Sequence, residues 1–289
     1  MKLANSSKAE IRSLISKYFN FFISIYYKLF FLKIKFFNKK ITLVLTMGKV
    51  GSSTIYHSLK KQIKNPIFHI HYFNEDSIKK SISEHLSSER KSIPQHLYVS
   101  SEVRKLKNKE ISIIVLVREP ISRKLSSVFQ NSIMHKSRFM TDSNNYNLHK
   151  IEEFLNDVIN SKSFVNHEKN WFDKEIKECF NIDIFKKKYD LNKDYVIFKK
   201  TRVSLLLMRT ETMNKVFPAA MKQFLIRNIK MKLSNNNIGA DKNYANDYNQ
   251  IKHNFKIQKD RIEEIVNSKF FQHFYSHIKE EVKNRWIKK

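Results

Sequence analysis

The chain has 289 residues, with 55 lysines and arginines against 27 aspartates and glutamates, for a formal net charge of +28. A single cysteine excludes a disulfide framework and any zinc site built on several thiolates. Only 3 glycines and 4 prolines argue against a many-turned β-sandwich, and 41% hydrophobic residues exclude a disordered polyelectrolyte. A surface of this sign attracts anions, so nucleic acid, anionic lipid, phosphorylated cofactor and acidic glycan all stay open. Lys, Asn, Ile, Phe and Tyr are all abundant, a skew that an A/T-rich genome also produces, so a compositional origin for part of the excess stays open too.

Residues 1–40 stand apart as a basic amphipathic helix. Their longest uncharged stretch, residues 18–27, is short of the ~20 apolar residues that a spanning helix needs. Lys28, Lys33 and Lys35 interrupt the apolar residues beyond it. Ile11, Leu14, Ile15, Tyr18, Phe19 and Phe22 recur at helical spacing beside Arg12 and Lys17. Such a helix suits the plane of an anionic membrane surface, through residues 11–37, or packs on the adjoining domain. No small-residue cleavage site follows the apolar run, which argues against a signal peptide. The expected location is cytoplasmic, with peripheral attachment to the inner face of the cytoplasmic membrane.

Residues 41–289 alternate strands and helices, which predicts an α/β domain. Residues 41–46 and 111–117 are short β-branched runs and read as buried strands; 67–72, 195–198 and 203–208 are further strands. Helices are predicted over 53–64, from the polar stretch after 72 to about 90, over 120–133, 216–233 and 257–286. Fully apolar strands joined by helices indicate a central parallel sheet covered on both faces. Residues 139–192 show no clear strand and read as a mainly helical insertion.

Two strand-to-helix junctions carry chemistry. The first, Met47-Gly48-Lys49-Val50-Gly51-Ser52-Ser53-Thr54, comes after the first strand. Free N–H groups, glycines, a lysine and three hydroxyls make a phosphate cradle there, although a plain structural turn has the same look. Lys49 precedes the second glycine, so the Gly-Lys-Ser/Thr order of a kinase loop is absent. In the second, Arg118 ends the strongest strand, Pro120 opens the next helix, and Ser126 lies eight positions beyond the arginine. An arginine fork and a hydroxyl can grip a phosphate, or the arginine can cap neighbouring carbonyls.

Taken together, the two junctions resemble those of the sulfotransferases that use the sulfuryl donor PAPS (3′-phosphoadenosine 5′-phosphosulfate). Lys49-Val50-Gly51-Ser52-Ser53-Thr54 looks like the 5′-phosphosulfate loop, and Arg118-Glu119-Pro120 with Ser126 like the 3′-phosphate motif of the carbohydrate-directed members. The resemblance implies a P-loop-type three-layer α/β fold, with PAPS as donor and no metal. It assigns donor binding to Lys49, Gly51, Ser52, Ser53, Thr54, Arg118 and Ser126, with Lys49 also at the leaving group. The chain departs from the family at Gly48, where proline is usual, and at Glu119, where Asn or Asp is commoner. The family's C-terminal glycine loop corresponds here to residues 237–242. Asn170-Trp171-Phe172-Asp173-Lys174-Glu175-Ile176, Ile182-Asp183-Ile184-Phe185 and Gln272-His273-Phe274-Tyr275-Ser276 resemble a bacterial family of capsular polysaccharide synthesis proteins.

Transfer to a hydroxyl needs a general base. His69 and His71 fall on one side of the second strand and emerge at its carboxyl end. His71 matches the second position of a His-x-His element in some uronyl sulfotransferases and is the first choice; His69, Glu75 and Glu102 follow. The pair could also ligate a metal or form a structural edge. His57 is expected to face solvent, and Glu211 to orient backbone. The expected acceptor is a hydroxyl of a cell-surface polysaccharide or glycolipid precursor, with no specific nucleic acid as partner. Two other readings stand: a membrane-attached capsule export protein without catalysis, and a small-molecule kinase.

Overall fold

A computed structural model describes residues 2–87, 92–132, 139–140, 146–225, 232–233 and 244–288; side chains are described from Tyr18 onward, but not at 130–132. Helix α1 (Lys2–Phe37) leads into β1 (Lys40–Leu45), and α2 (Ser52–Lys60) comes after the first junction. Next come β2 (Ile67–Ile70), α3 (Glu75–Ser87), α4 (Gln95–Arg104), β3 (Glu110–Val117) and α5 (Pro120–Ser132). Helices α6 (Leu148–Asn160) and α7 (His167–Phe172) precede a π-helical turn, Asp173–Glu178, and a 3₁₀ turn, Ile184–Lys186. The last strands are β4 (Tyr195–Lys199) and β5 (Val203–Arg209). Helices α8 (Met213–Leu225), α9 (Ala245–Asn254), α10 (Lys259–Asn267), α11 (Lys269–Tyr275) and α12 (Lys279–Trp286) complete the chain.

The five strands form one sheet in the order β2-β1-β3-β5-β4. Alternation of side chains across each strand divides the core in two. Ile41, Leu43, Ile113, Val115, Leu205 and Leu207 face a cluster that includes α1, α4, α5, α6 and the C-terminal helices. Val44, Ile114, Leu116, Leu206 and Met208 face the other way, against Ile55 and Leu59 of α2 and Phe217 and Met221 of α8. Both faces of the sheet are thus covered by helices, and this is why its strands read as unbroken apolar runs.

Two expectations are corrected. The sheet is mostly, not wholly, parallel, because β4 pairs antiparallel with β5 in the register Val196↔Leu207 and Ile197↔Leu206. Only residues 200–202 join them, too few for the crossover that a parallel pair requires. The helix expected over 257–286 is also broken. Ser268, extended at φ −62°, ψ 150°, ends α10 and caps α11 by accepting from the Phe271 N–H at 3.3 Å. The helices expected to continue beyond 87, 132 and 225 run into residues outside the described ones.

A buried ion pair pins α7 to α5. Arg123 of α5 donates to Glu168 of α7 from Nε at 3.1 Å and from its terminal nitrogen at 2.7 Å. Both side chains are almost wholly out of water, at 8% and 2% exposure. Removing one partner strands the other charge, so Glu168→Ala is expected to cost about 3–5 kcal/mol of folding stability, read from urea denaturation.

Helix α1 packs on α4. Tyr27 stacks on Tyr98 at 6.0 Å between centroids, Phe31 meets Phe68 of β2 at 4.9 Å, and the Tyr98 hydroxyl donates to the Asn20 carbonyl. Among the described residues, no helix is long and apolar enough to cross a membrane.

Candidate active site

In a mostly parallel sheet the loops that leave the carboxyl ends of neighbouring strands meet in one crevice. Here the ends of β1, β2, β3 and β5 lie side by side and surround a cavity of about 530 Å³. That is within the range of small-molecule sites. The loop after β1 supplies Gly48, Lys49, Gly51, Ser52, Ser53 and Thr54 to its wall. His69 and His71 come from the end of β2, Arg118 and Ser126 from the β3–α5 junction. Thr210 and Glu211 after β5, with Tyr244 and Tyr248 at α9, complete the lining.

The loop has an uncommon backbone. Lys49 and Gly51 both have positive φ, 69° and 79°. Glycine tolerates this region; lysine rarely adopts it, and such strain collects at functional sites. A Cβ on Gly48 would meet nothing within 4 Å, so the backbone there is open to an approaching group. Gly48 stands where the sulfotransferases usually have proline, and it keeps the backbone N–H that proline would lack.

Arg118 and Thr210 hold this loop to the sheet. An Arg118 guanidinium N–H donates to the Lys49 carbonyl at 3.0 Å, and the other terminal nitrogen lies 3.5 Å from the Tyr248 hydroxyl. Thr210 donates its backbone N–H to the Val117 carbonyl at 2.8 Å, and its hydroxyl lies within reach of the Val50 and Val117 carbonyls at 2.8 and 2.9 Å. One threonine thus ties the first junction to the second. Sequence reasoning passed over it, although it stands at the carboxyl end of the strand next to β3. Tyr244 and Tyr248 were likewise unread, since they come from a helix distant in sequence.

Glu119 and Glu211 serve the backbone. The Glu119 carboxylate accepts from the N–H groups of Ile121 and Ser122, both at 2.8 Å, and from the Ser122 hydroxyl at 2.6 Å. It caps the first turn of α5. Burial pushes its carboxyl above the usual range, against these bonds, which favour the charged form. Glu211 accepts from the Glu119 N–H at 2.9 Å and from the Tyr275 hydroxyl at 3.1 Å. His57 is exposed on α2. Glu75 and Glu102 form ion pairs with Lys79 and Arg104, and with Lys105, away from the cavity.

Three imidazoles adjoin one another: His69 and His71 at 5.0 Å between centroids, His71 and His96 at 5.2 Å. Burial holds His69 down at about 3 and His96 at about 4, and lowers His71 as well. Near neutral pH all three are uncharged. His71 Nδ1 lies 2.8 Å from the Thr46 carbonyl, which can only accept, so Nδ1 carries the proton and Nε2 the lone pair. His69 Nε2 is buried with no hydrogen-bond partner among the described residues. Among those residues no group of three His, Cys, Asp or Glu is arranged to hold a metal ion.

The segment that carries His71 is clamped from α7 and the π-helical turn. The Trp171 indole N–H donates to the His71 carbonyl at 3.1 Å. Glu175 accepts from the N–H groups of Phe73 and Asn74 at 2.6 and 2.7 Å. A π-turn is uncommon and often marks a functional site; here it turns the buried Glu175 towards that loop. Residues 237–242, likened to the sulfotransferases' C-terminal glycine loop, lie outside the described residues.

No curated protein and no solved structure matches the chain. A family model described as "Putative capsular polysaccharide synthesis protein" matches residues 143–276. That is 134 residues (276 − 143 + 1), just under half of the 289, and it omits Lys49, His71, Arg118 and Ser126. It includes Trp171 and Glu175, which brace His71, and Thr210, Glu211, Tyr244 and Tyr248 of the cavity. From α6 to α11 this chain is similar to that capsular polysaccharide synthesis family.

Proposed function

We propose that the chain is a PAPS-dependent sulfotransferase with a P-loop-type fold, acting on a hydroxyl of a capsular or other cell-surface polysaccharide or its precursor. One observation carries the reading. A strained, lysine-bearing loop, an arginine at a strand end and a neutral histidine with Nε2 free all line one cavity. An anionic donor suits the first two and a hydroxyl acceptor suits the third. The capsule-family match supports a glycan as the acceptor.

In this reading His71 Nε2 takes the proton of the acceptor hydroxyl as its oxygen bonds to sulfur. The bond from sulfur to the 5′-phosphate oxygen breaks, and that oxygen leaves with the electron pair. Lys49 stabilises the charge it acquires, and Ser52, Ser53 and Thr54 hold the 5′-phosphate. Arg118 and Ser126 hold the 3′-phosphate, as their resemblance to the family motif suggests.

Arg118→Ala tests this. It removes a charge-assisted contact to the ligand and the tether to Lys49, so 3′-phosphoadenosine 5′-phosphate is expected to bind about 100-fold more weakly by calorimetry. Unchanged affinity in a folded variant would reject the site.

A further inference from the structure

The surface opposite the packed face of α1 is apolar to an extent found nowhere else on the described molecule. Of the twelve large hydrophobic side chains exposed among the described residues, eleven belong to this one helix. Tyr18, Phe22, Ile25, Leu29, Leu32 and Phe36 form its outer line, spaced alternately four and three residues apart. Phe22 is 64% and Phe36 75% exposed. Phe19, Tyr26, Phe30 and Phe37 widen the line on one side and Phe21 on the other. Asn20, Tyr27, Phe31 and Ile34 point the opposite way, into the protein. The packed-helix expectation for this segment is met on its inner face, and the outer face is left open.

We propose that this outer face is a docking surface for an anionic lipid bilayer, with α1 lying in the plane of the interface. Charge selects the lipid. Between Glu10 and Glu75 the sequence has no acidic residue, while residues 11–40 carry seven cations: Arg12, Lys17, Lys28, Lys33, Lys35, Lys39 and Lys40. Lys28 and Lys35 are exposed along one flank of this face, and Lys33 is exposed within it, between the outer line and its widened side, where its long stem lets the ammonium reach a headgroup. The four-and-three spacing alone would also suit a second copy of the helix. Two copies, however, would set lysine against lysine or ring with no carboxylate to answer, and the apolar face is broader than a coiled-coil seam. A bilayer accepts the whole face to a depth of about 5–10 Å and supplies the negative charge.

The placement has a consequence. Helix α4 stacks Tyr98 on Tyr27 of α1 and, two residues earlier, sets His96 against His71. Two helices, α1 in the interface and α4 beneath it, each about 10 Å across, then stand between the lipid-facing surface and the cavity. A membrane-held glycan precursor would lie close to hand; that corollary rests on the sulfotransferase reading, and lipid binding does not.

The test is co-sedimentation of the full chain with vesicles of phosphatidylcholine alone, or with one-quarter phosphatidylglycerol. Binding to the anionic vesicles is expected, with a partition coefficient reduced on the order of 100-fold in the Lys28→Gln, Lys33→Gln, Lys35→Gln variant. The Phe22→Ser, Leu29→Ser, Phe36→Ser variant should keep its melting temperature and lose binding. No binding by the wild type would overturn the proposal, as would equal binding by the serine variant. A stable dimer in light scattering that the serine variant breaks, without lipid affinity, would assign the face to a second copy.

Discussion

On the sulfotransferase reading, replacing His71 by asparagine is expected to lower the rate of sulfuryl transfer about 10³-fold while leaving donor affinity nearly unchanged. The asparagine amide N–H can take over the 2.8 Å hydrogen bond that Nδ1 makes to the Thr46 carbonyl, so the loop keeps its anchor and only the base is lost. The pH profile separates a base from a structural residue. Burial chiefly, with a smaller push from the positive Lys49, holds the imidazole below its ordinary 6.5; the bond to Thr46 works the other way. The working form is the unprotonated one, so kcat/KM should rise with pH along an acid limb whose midpoint lies below 6.5, then level off. In His71→Asn that limb should vanish. Persistence of the limb in the variant would assign the base to another group.

Lys49 gives the second large effect, and it separates stability from function. Lysine at φ 69° costs the fold free energy that glycine would not. Lys49→Gly is therefore expected to raise unfolding stability by a net amount on the order of 1 kcal/mol, after allowance for the entropy of the unfolded glycine. In the proposed reaction the same substitution should lower kcat about 10²–10³-fold, because the leaving oxygen would lose its positive partner. Lys49→Ala keeps the strain and should lose the activity without the gain. A lysine that served only to shape the turn would show the opposite pattern, with activity preserved in the glycine variant.

Much of this architecture is legible in the amino-acid order because the physics is local. β1 and β3 are runs of β-branched and apolar residues buried on both faces, and only central strands of a parallel sheet demand that. The two junctions could be read since Gly48, Gly51 and Pro120 punctuate a chain otherwise poor in both residues. What escaped depends on distant partners. Helix α4 buries Leu97, Ser100 and Val103, and a serine in that stripe hides its periodicity. Trp171 and Glu175 look like core and surface residues until the fold brings them 100 and 102 positions back, to His71 and Phe73. The antiparallel β4 was within reach of sequence reasoning: the four residues between the expected strands, 199–202, are too few to cross over a sheet, and the apolar pattern outweighed that sign.

The net positive charge of the chain divides along the same lines. Lys49 and Arg118 face the cavity, the cations of α1 flank an apolar helix face, and Arg123 is spent on a buried pair with Glu168. The match to the capsule-synthesis family covers the region that braces the histidine and closes the cavity, not the loop that would hold the donor. The sulfotransferase reading therefore rests on the loop and on Arg118. Its sharpest test is calorimetric titration of the wild-type chain with 3′-phosphoadenosine 5′-phosphate, against ADP and ATP with magnesium. Binding should need the 3′-phosphate and no metal, with ADP weaker by about 10- to 100-fold for want of the Arg118 contact. Binding of ATP with magnesium in preference, or no binding of the 3′-phosphorylated nucleotide by the folded chain, would overturn that reading.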